Sequence, residues 1–322
     1  MNKTWREVLD MLADGELISG AVIGEQLGIS RTAVWNHLNQ LQDWGVPVKK
    51  IKGRGYCIEG GMELLSRQRI TEALSPGSKT LLRELHLLDH VDSTNTIARR
   101  QIENRVGSGY VCMAEMQTQG RGRLGRQWVS PFGRNMYLSA IWEFQGGAVV
   151  LEGLSLAVGV AMCRAIESFG VEDVMLKWPN DILLGGRKVG GILLEMLGDP
   201  VGCCQVVIGI GINFAMPEEA AIDQPWSDLG GHKTVTRNAL AGRVLSELLP
   251  LLSGYADTGF QYYKPEWEGY DAHHGKKVQL LTPGKVVEGI ASGVSDSGAI
   301  CLEIDGKRSF FSGGEISLRS LV

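Results

Sequence analysis

The 322-residue chain carries a formal charge of −4, with 44% hydrophobic and 21% charged residues, the balance of a soluble globular protein with a sizeable core. Nothing in that balance points to nucleic acid or an anionic membrane as a global partner, so such a partner has to be met by local charge. Six scattered cysteines without a C-x-x-C pair argue against a zinc ribbon and a secreted disulfide framework. The length suggests roughly two domains at about 150 residues each, with three possible.

The first residues, MNKTWREVLD, lack the apolar core of a signal peptide, and no run of about 18 apolar residues follows. A reduced, cytoplasmic protein without a membrane segment is expected. Over residues 4–14, Trp5, Val8, Leu9 and Leu12 recur at helical spacing. A second helix is predicted over Ala21–Leu27, stopped by Gly28, and a third over Arg31–Trp44 with Ser30 as its N-cap. Val34, Leu38 and Leu41 form the buried stripe of the third helix, which leaves Arg31, Thr32 and Asn36 able to reach a base edge or a phosphate. The residues that follow, VPVKKIKGRGYCI, read as a hairpin with Lys50, Lys52 and Arg54 on one strand and the tip. Helix, glycine turn, helix and basic wing together predict a winged helix-turn-helix that binds DNA, most naturally as a dimer on two half-sites. A small helical packing domain with solvated lysines is the plainer alternative.

Around Gly60–Gly77 the chain turns polar after a short helix over Thr71–Leu74, a boundary signal. Strand-length apolar runs follow at Leu85–Leu88, Tyr110–Met116, Met136–Trp142, Val174–Lys177, Gly191–Met196 and Gln205–Phe214. Helical patterns intervene at Thr94–Asn104, Leu151–Phe169 and Arg237–Tyr255, implying an α/β or α+β domain of catalytic size. From Lys276 the pattern changes to short strands (Val278–Leu281, Ile300–Ile304, Ser309–Phe311) joined by Pro-Gly and Asp305-Gly306 turns, which predicts a small β-barrel.

One stretch of the middle region, Gln119–Trp128 (QGRGRLGRQW), satisfies the G-x-G-x-x-G dinucleotide pattern. That motif needs a helix after its last glycine to meet the pyrophosphate, and here a loop and another strand follow. The dinucleotide reading fails. Glycines that allow close backbone approach, studded with Arg121, Arg123 and Arg126, suit a loop that clamps phosphate or carboxylate oxygens. Further on, KWPND places Asn180 and Asp181 in a proline-broken loop at the end of a strand, where open sheets present ligand-binding groups; Asp181 is a candidate Mg²⁺ ligand. Lys188 stands at the start of the apolar run Val189–Leu194, placed to meet a phosphate and a carboxylate together. Singly these are a turn and a snorkelling lysine; jointly they favour phosphoryl or nucleotidyl transfer, which needs positioned positive charge.

The sequence resembles the bacterial bifunctional biotin–protein ligases and biotin-operon repressors. The resemblance is carried by Ser93-Thr94-Asn95, Gln117 with GRGRLGRQW, KWPNDI at 177–182, RKVGGILLE at 187–195, GIGIN at 209–213 and GGEISLR at 313–319, in the family's order and after the winged helix-turn-helix. It covers essentially the whole chain. It implies an α+β multidomain fold: a winged helix-turn-helix over 1–62, a central mixed ligase domain with a largely antiparallel sheet over 63–273, and an SH3-like β-barrel over 274–322.

The resemblance also implies two half-reactions. Biotin carboxylate attacks the α-phosphate of ATP, with Mg²⁺, to give biotinyl-5′-AMP, and biotin then passes to a lysine of a biotin carboxyl carrier protein. By the same resemblance Lys188 and Arg123 are catalytic, and Ser93, Thr94, Asn95, Gln117, Arg121, Gly122, Arg123 and Lys188 bind biotin. Arg123, Asn180, Asp181, Asn213, Trp226 and Arg319 lie toward the nucleotide, and Asp181 toward the metal. Met216–Gly231 corresponds to a segment that covers the adenylate. Ser30, Arg31, Thr32, Asn36, Lys50, Lys52 and Arg54 are the expected DNA contacts. The adenylate acts in the family as corepressor, promoting a homodimer through sheet edges, for which Gly191–Met196 and Ile300–Ile304 are candidates. Leu124 departs from the pattern, standing where the best-known members carry another arginine. Three alternatives remain: a biotin-sensing repressor with weak or lost ligase activity, a lipoate or other acyl–adenylate ligase, and a monofunctional ligase with an idle N-terminal domain.

Overall fold

The computed structural model describes residues 4–199, 201–217, 219–282, 285–312 and 316–320. The expected Pro283-Gly284 turn and Gly313–Glu315 of GGEISLR lie outside them.

Helices α1 (Thr4–Leu12), α2 (Gly20–Leu27) and α3 (Arg31–Asp43) form where the apolar spacing places them. Ser19 and Ser30 each sit in extended backbone and accept a hydrogen bond from the N–H three residues on, satisfying one of the orphan donors of a helix start. Gly28 ends α2 at φ 64°, a left-handed conformation that a side chain disfavours, and so sets the turn into α3. Val8, Leu9, Leu12, Ile23, Val34, Leu38 and Leu41 close over one core. The wing is the antiparallel pair β1 (Val48–Ile51) and β2 (Gly55–Ile58).

Beyond it, α4 (Arg67–Glu72) and α5 (Pro76–Leu81) precede β3 (Glu84–Val91), α6 (Thr94–Glu103), β4 (Tyr110–Gln117) and β5 (Asn135–Phe144). Then come α7 (Leu154–Glu167), β6 (Val174–Lys177), β7 (Asp181–Leu184), β8 (Arg187–Gly198), β9 (Cys204–Asn213), α8 (Arg237–Thr258) and α9 (Lys264–Tyr270). The seven strands make one mixed sheet of order β3-β4-β5-β9-β8-β7-β6, antiparallel except for β3–β4. Period-two alternation divides its faces. Val111, Met113, Leu138, Ala140, Ile208, Ile210 and Ile212 point into the main core under α7 and α8. Tyr110, Cys112, Ile141 and Val207 point the other way, against Ala98 of α6. Gly147–Glu167 is long and apolar enough to cross a bilayer by composition, but it is a short 3₁₀ turn leading into α7, and α7 lies in this core.

The C-terminal strands β10 (Lys277–Thr282), β11 (Lys285–Val294), β12 (Ile300–Ile304), β13 (Lys307–Phe311) and β14 (Ser317–Ser320) form an antiparallel sheet of order β13-β12-β11-β10-β14 in the place of the expected barrel. β12 has a neighbour on each side, which corrects Ile300–Ile304 as an edge. The short helix expected at Thr71–Leu74 lies earlier, because Ser66 caps it. α5, α9, β7, β11 and β14 were missed: all are short, Gly- or Pro-bearing, or weakly patterned, and tertiary contacts decide them.

The N-terminal module is packed onto the sheet. Phe132 enters its core, and Trp44 stacks on Phe132 and His90. Beneath this contact the fully buried Arg237 pairs with the equally buried Glu115 at 2.8 Å and donates to the Glu63 carbonyl and the Asn135 carbonyl. Arg6 of α1 pairs with Asp89 and lies 3.9 Å from the same Glu115.

Candidate active site and nucleic-acid interface

The face of the sheet that carries α6 holds one large cavity, about 400 Å³. Its floor follows from the strand alternation: Ser139 of β5 and Gly209 and Gly211 of β9 fall on that face. Glycine is required there by space. A Cβ on residue 209 would stand 2.2 Å from Asn95 Oδ1, and one on residue 211 would stand 2.6 Å from the Trp128 ring. The two glycines of GIGIN therefore admit the two side chains that form the opposite walls.

One wall is the start of α6. Ser93, Thr94 and Asn95 are buried, and the Ser93 side chain does not cap its own helix. Thr94 donates through N–H and Oγ1 to Gln117 Oε1 at 2.8 and 3.1 Å, and Gln117 Nε2 donates to Ser130. Ser139 Oγ lies 2.7 Å from Thr94 Oγ1 and 2.6 Å from Asn95 Oδ1, and Asn95 donates to Glu195. This is a fixed, mutually satisfied row of polar groups. Arg121 reaches over it, donating to Thr96 Oγ1 and lying 3.6 Å from Glu195.

The opposite end is cationic. β6 and β7 form a tight hairpin, with Lys177 across from Asp181 and the Trp178–Asn180 turn between them. A bulge where β8 meets β7 leaves Val189 as an extra residue. Val189 falls into the core, and Lys188 is re-aimed onto the cavity face. There its Nζ lies 2.6 Å from Asp181 Oδ1 and 5.5 Å from the Trp128 ring centroid. Arg123 donates to Asn180 Oδ1 at 3.1 Å, and burial holds its pKa below the usual arginine value. Lys177 is likewise lowered, first by burial and then by the neighbouring charges of Lys188, Arg126 and Arg319 against the opposing Asp181. The loop that carries these arginines contains a 3₁₀ turn, Arg123–Gly125, with Leu124 left-handed at φ 57° and half exposed. Its next element is β5, so no helix receives a pyrophosphate.

The segment after β9 lies over this end. The backbone of Lys188 bonds to Pro225 and Ser227, Asn213 Nδ2 donates to the Ser227 carbonyl, and Trp226 faces the cavity. Of the residues expected around biotin and nucleotide, only Arg319 stays off the wall. It is exposed on β14 beside the lining residue Leu318, and its charge still acts on Lys177. Among the described residues no three His, Cys, Asp or Glu side chains gather as a metal site, so Asp181 is a single carboxylate between two lysines. Sequence reading gave no role to Trp128 or Lys177, which line the cavity, nor to Ser139 and Glu195, which bond to Asn95 behind its wall. Strand alternation could have found Ser139, since it shares a face with the glycines of β9; nothing local marks Glu195.

On the N-terminal module, Arg31, Thr32, Asn36, Lys50, Lys52 and Arg54 are all exposed. Ser30 has its hydroxyl engaged with Ala33 N as the cap. Lys49 is paired with Glu59 at 2.9 Å, while Lys50, its Nζ 6.0 Å from the Tyr56 ring centroid, Lys52 and Arg54 are the wing's other exposed cations.

Three family matches fall on these regions: the HTH domain over residues 4–57, the biotin/lipoate A/B protein ligase family over 87–213, and the biotin protein ligase C terminal domain over 273–319. The bifunctional ligase/repressor BirA of Salmonella typhimurium is 40% identical over 319 residues, 97% of each chain. The chain belongs to the bifunctional ligase/repressor family. Another member, BirA of Bacillus subtilis, is 33% identical over 90% of each chain. The biotin protein ligase of Aquifex aeolicus, solved with biotin and ATP, superposes on this ligase/repressor with a TM-score of 0.64 at 30% identity, covering 74% of this chain and all of that one.

Proposed function

We propose that this ligase/repressor joins biotin and ATP to biotinyl-5′-AMP, transfers biotin to a lysine of a biotin carboxyl carrier protein, and with the adenylate bound represses a biotin operon. The observation that carries the reading is Lys188: it stands at the junction of the polar row and the amide-rich, cationic end, anchored by Asp181. The polar row of Ser93, Thr94, Asn95 and Gln117 takes the ureido ring of biotin and points its carboxylate at Lys188. Asn180, Asn213, Trp226 and, from the C-terminal sheet, Arg319 face the nucleotide. The carboxylate oxygen bonds to the α-phosphorus as the bond to pyrophosphate breaks. Lys188, Arg121 and Arg123 offset the repulsion of the two anions and the charge growing at phosphorus. In the second step the acceptor amine bonds to the biotinyl carbonyl, and AMP leaves. Gly120–Gly125 and Met216–Gly231 exclude water from the mixed anhydride between the two steps.

Mg²⁺ would arrive on the phosphates and be held through one carboxylate, Asp181, which is paired with Lys188, and it would supply neutralisation of phosphate charge. The boundaries of this reading are 1–62, 63–273 and 274–322, and the protein is cytoplasmic. Its dimer pairs β8 with β8: β7 covers β8 only to Gly191, and beyond Ile192 one edge of that strand is open among the described residues.

Biotin-dependent ATP–pyrophosphate exchange tests the ligase. Lys188→Ala should lower it by a factor on the order of 10²–10³. Exchange with lipoate and none with biotin would sink the assignment. Gel shift of operator DNA with and without biotin plus ATP tests repression; equal binding in both would leave a constitutive DNA binder.

A further inference from the structure

Helix α3 presents one feature that neither the positive charge nor the core accounts for. Trp35 is 52% exposed, while the other tryptophans of the module are held inside, Trp5 at 5% and edge-on to Trp44 with ring centroids 4.7 Å apart. Among the described residues of the module only one other large apolar side chain is exposed, Val22 in the first turn of α2, and it is less open. Trp35 lies one helical turn after Arg31 and Thr32, beside Asn36, away from the stripe of Val34, Leu38 and Leu41. The exposed cations of the module are Arg31, one turn earlier on the same helix, and Lys50, Lys52 and Arg54 on the wing, among others. A partner of this face must therefore be anionic at its rim and apolar at its centre.

A protein with an acidic rim meets that description less well than DNA, because α3 is the last helix of the region matched by the HTH domain and exposes Arg31, Thr32 and Asn36 beside Trp35. In the major groove, phosphates supply the anionic rim and the thymine 5-methyl supplies the only apolar group on a base edge. We propose that Trp35 is a specificity residue that packs on thymine methyls in each operator half-site, alongside polar contacts from Arg31, Thr32 and Asn36. The proposal rests on the DNA-binding reading above and adds to it the base that is read and the residue that reads it.

The test uses the full chain with biotin and ATP present. A duplex is first selected from a randomised pool, and each thymine in the selected site is then replaced by uracil, which removes the methyl and nothing else. One or two positions per half-site should lose about fourfold in affinity, the worth of a buried methyl group. Trp35→Ala should bind thymine and uracil duplexes equally, while keeping biotin-dependent pyrophosphate exchange, since Trp35 is remote from the cavity. The proposal is overturned if no thymine is methyl-sensitive, if Trp35→Ala retains the discrimination, or if its effect is instead a loss of self-association. Failure of the chain to select any sequence would strike the DNA-binding reading itself, a result distinct from selection without methyl sensitivity.

Discussion

The two sides of the cavity are built differently. The α6 side is a closed network in which Thr94, Asn95 and Ser139 are buried and, with the half-buried Gln117, bonded to one another and to Glu195 and Ser130. The covering side, Arg121–Gln127 and Ala221–Trp226, is largely exposed and touches the body through a few bonds, among them Arg123 to Asn180 and the backbone of Lys188 to Pro225. Selectivity for a substrate follows from the first arrangement, since a preset donor and acceptor pattern rejects what does not match it. On the proposed reading, retention of a labile intermediate falls to the second, which is held to the body by few bonds.

The contrast can be broken most severely from beneath the rigid side. Arg237 lies under β5 and is the charge partner of the buried Glu115. Arg237→Met leaves that carboxylate with Arg6, 3.9 Å away, as its remaining counter-charge, so unfolding in urea should show a loss of roughly 3–5 kcal/mol. A loss under about 1 kcal/mol would mean the pair contributes little to the rigidity described. Gly209→Ala attacks the polar row itself, because its methyl would overlap Asn95 Oδ1. The KM for biotin should rise about 10- to 100-fold, the worth of a lost buried hydrogen bond or two, with kcat less affected. An unchanged KM would show that Asn95 is not part of the biotin wall.

On the covering side, Arg123→Ala should leave biotin affinity within about twofold and release the adenylate about tenfold faster, measured by single-turnover trapping. If biotin affinity falls instead, the loop belongs with the rigid wall. The smallest effect concerns the base of the cationic end, where His273 is buried near Lys177 and Lys276. Burial first, and then these two charges, lower its pKa to about 4. The unfolded chain then binds the proton more readily, so this contribution is complete above pH 6.5 and is lost as pH falls toward 4. Asp271, raised by burial, acts in the opposite sense. Comparing thermal unfolding at pH 7 and 5, His273→Gln should flatten the slope by roughly 1–2 kcal/mol. An unaltered slope would move the pH dependence to other groups.

Much of this was legible in the chain. The helix-turn-helix was visible because its signals are local: an apolar stripe, a serine cap and a glycine at φ 64° lie within a few residues of the turns they set. The arginine loop could be separated from a dinucleotide site for the same reason, since the absence of a following helix is a local fact. The family resemblance carried the cavity residues as a group, but no local rule could have given their geometry. Lys188 faces the cavity only because of the bulge at Val189, which depends on how β8 registers against β7. Ser139 and Glu195 read as ordinary members of apolar strands.

By itself, then, the sequence determined the order of modules, the positions of most helices and strands, and the chemical types that meet: a polar row, a cationic loop, an acid and a lysine. Only the tertiary structure decided which of them touch. Strand pairing set which face each residue occupies, close packing made Gly209 and Gly211 the hosts of Asn95 and Trp128, and β7 begins opposite Gly191 so that part of β8 stays open among the described residues. Those outcomes depend on contacts between residues tens to hundreds of positions apart, and periodicity along the chain carries no information about such distances.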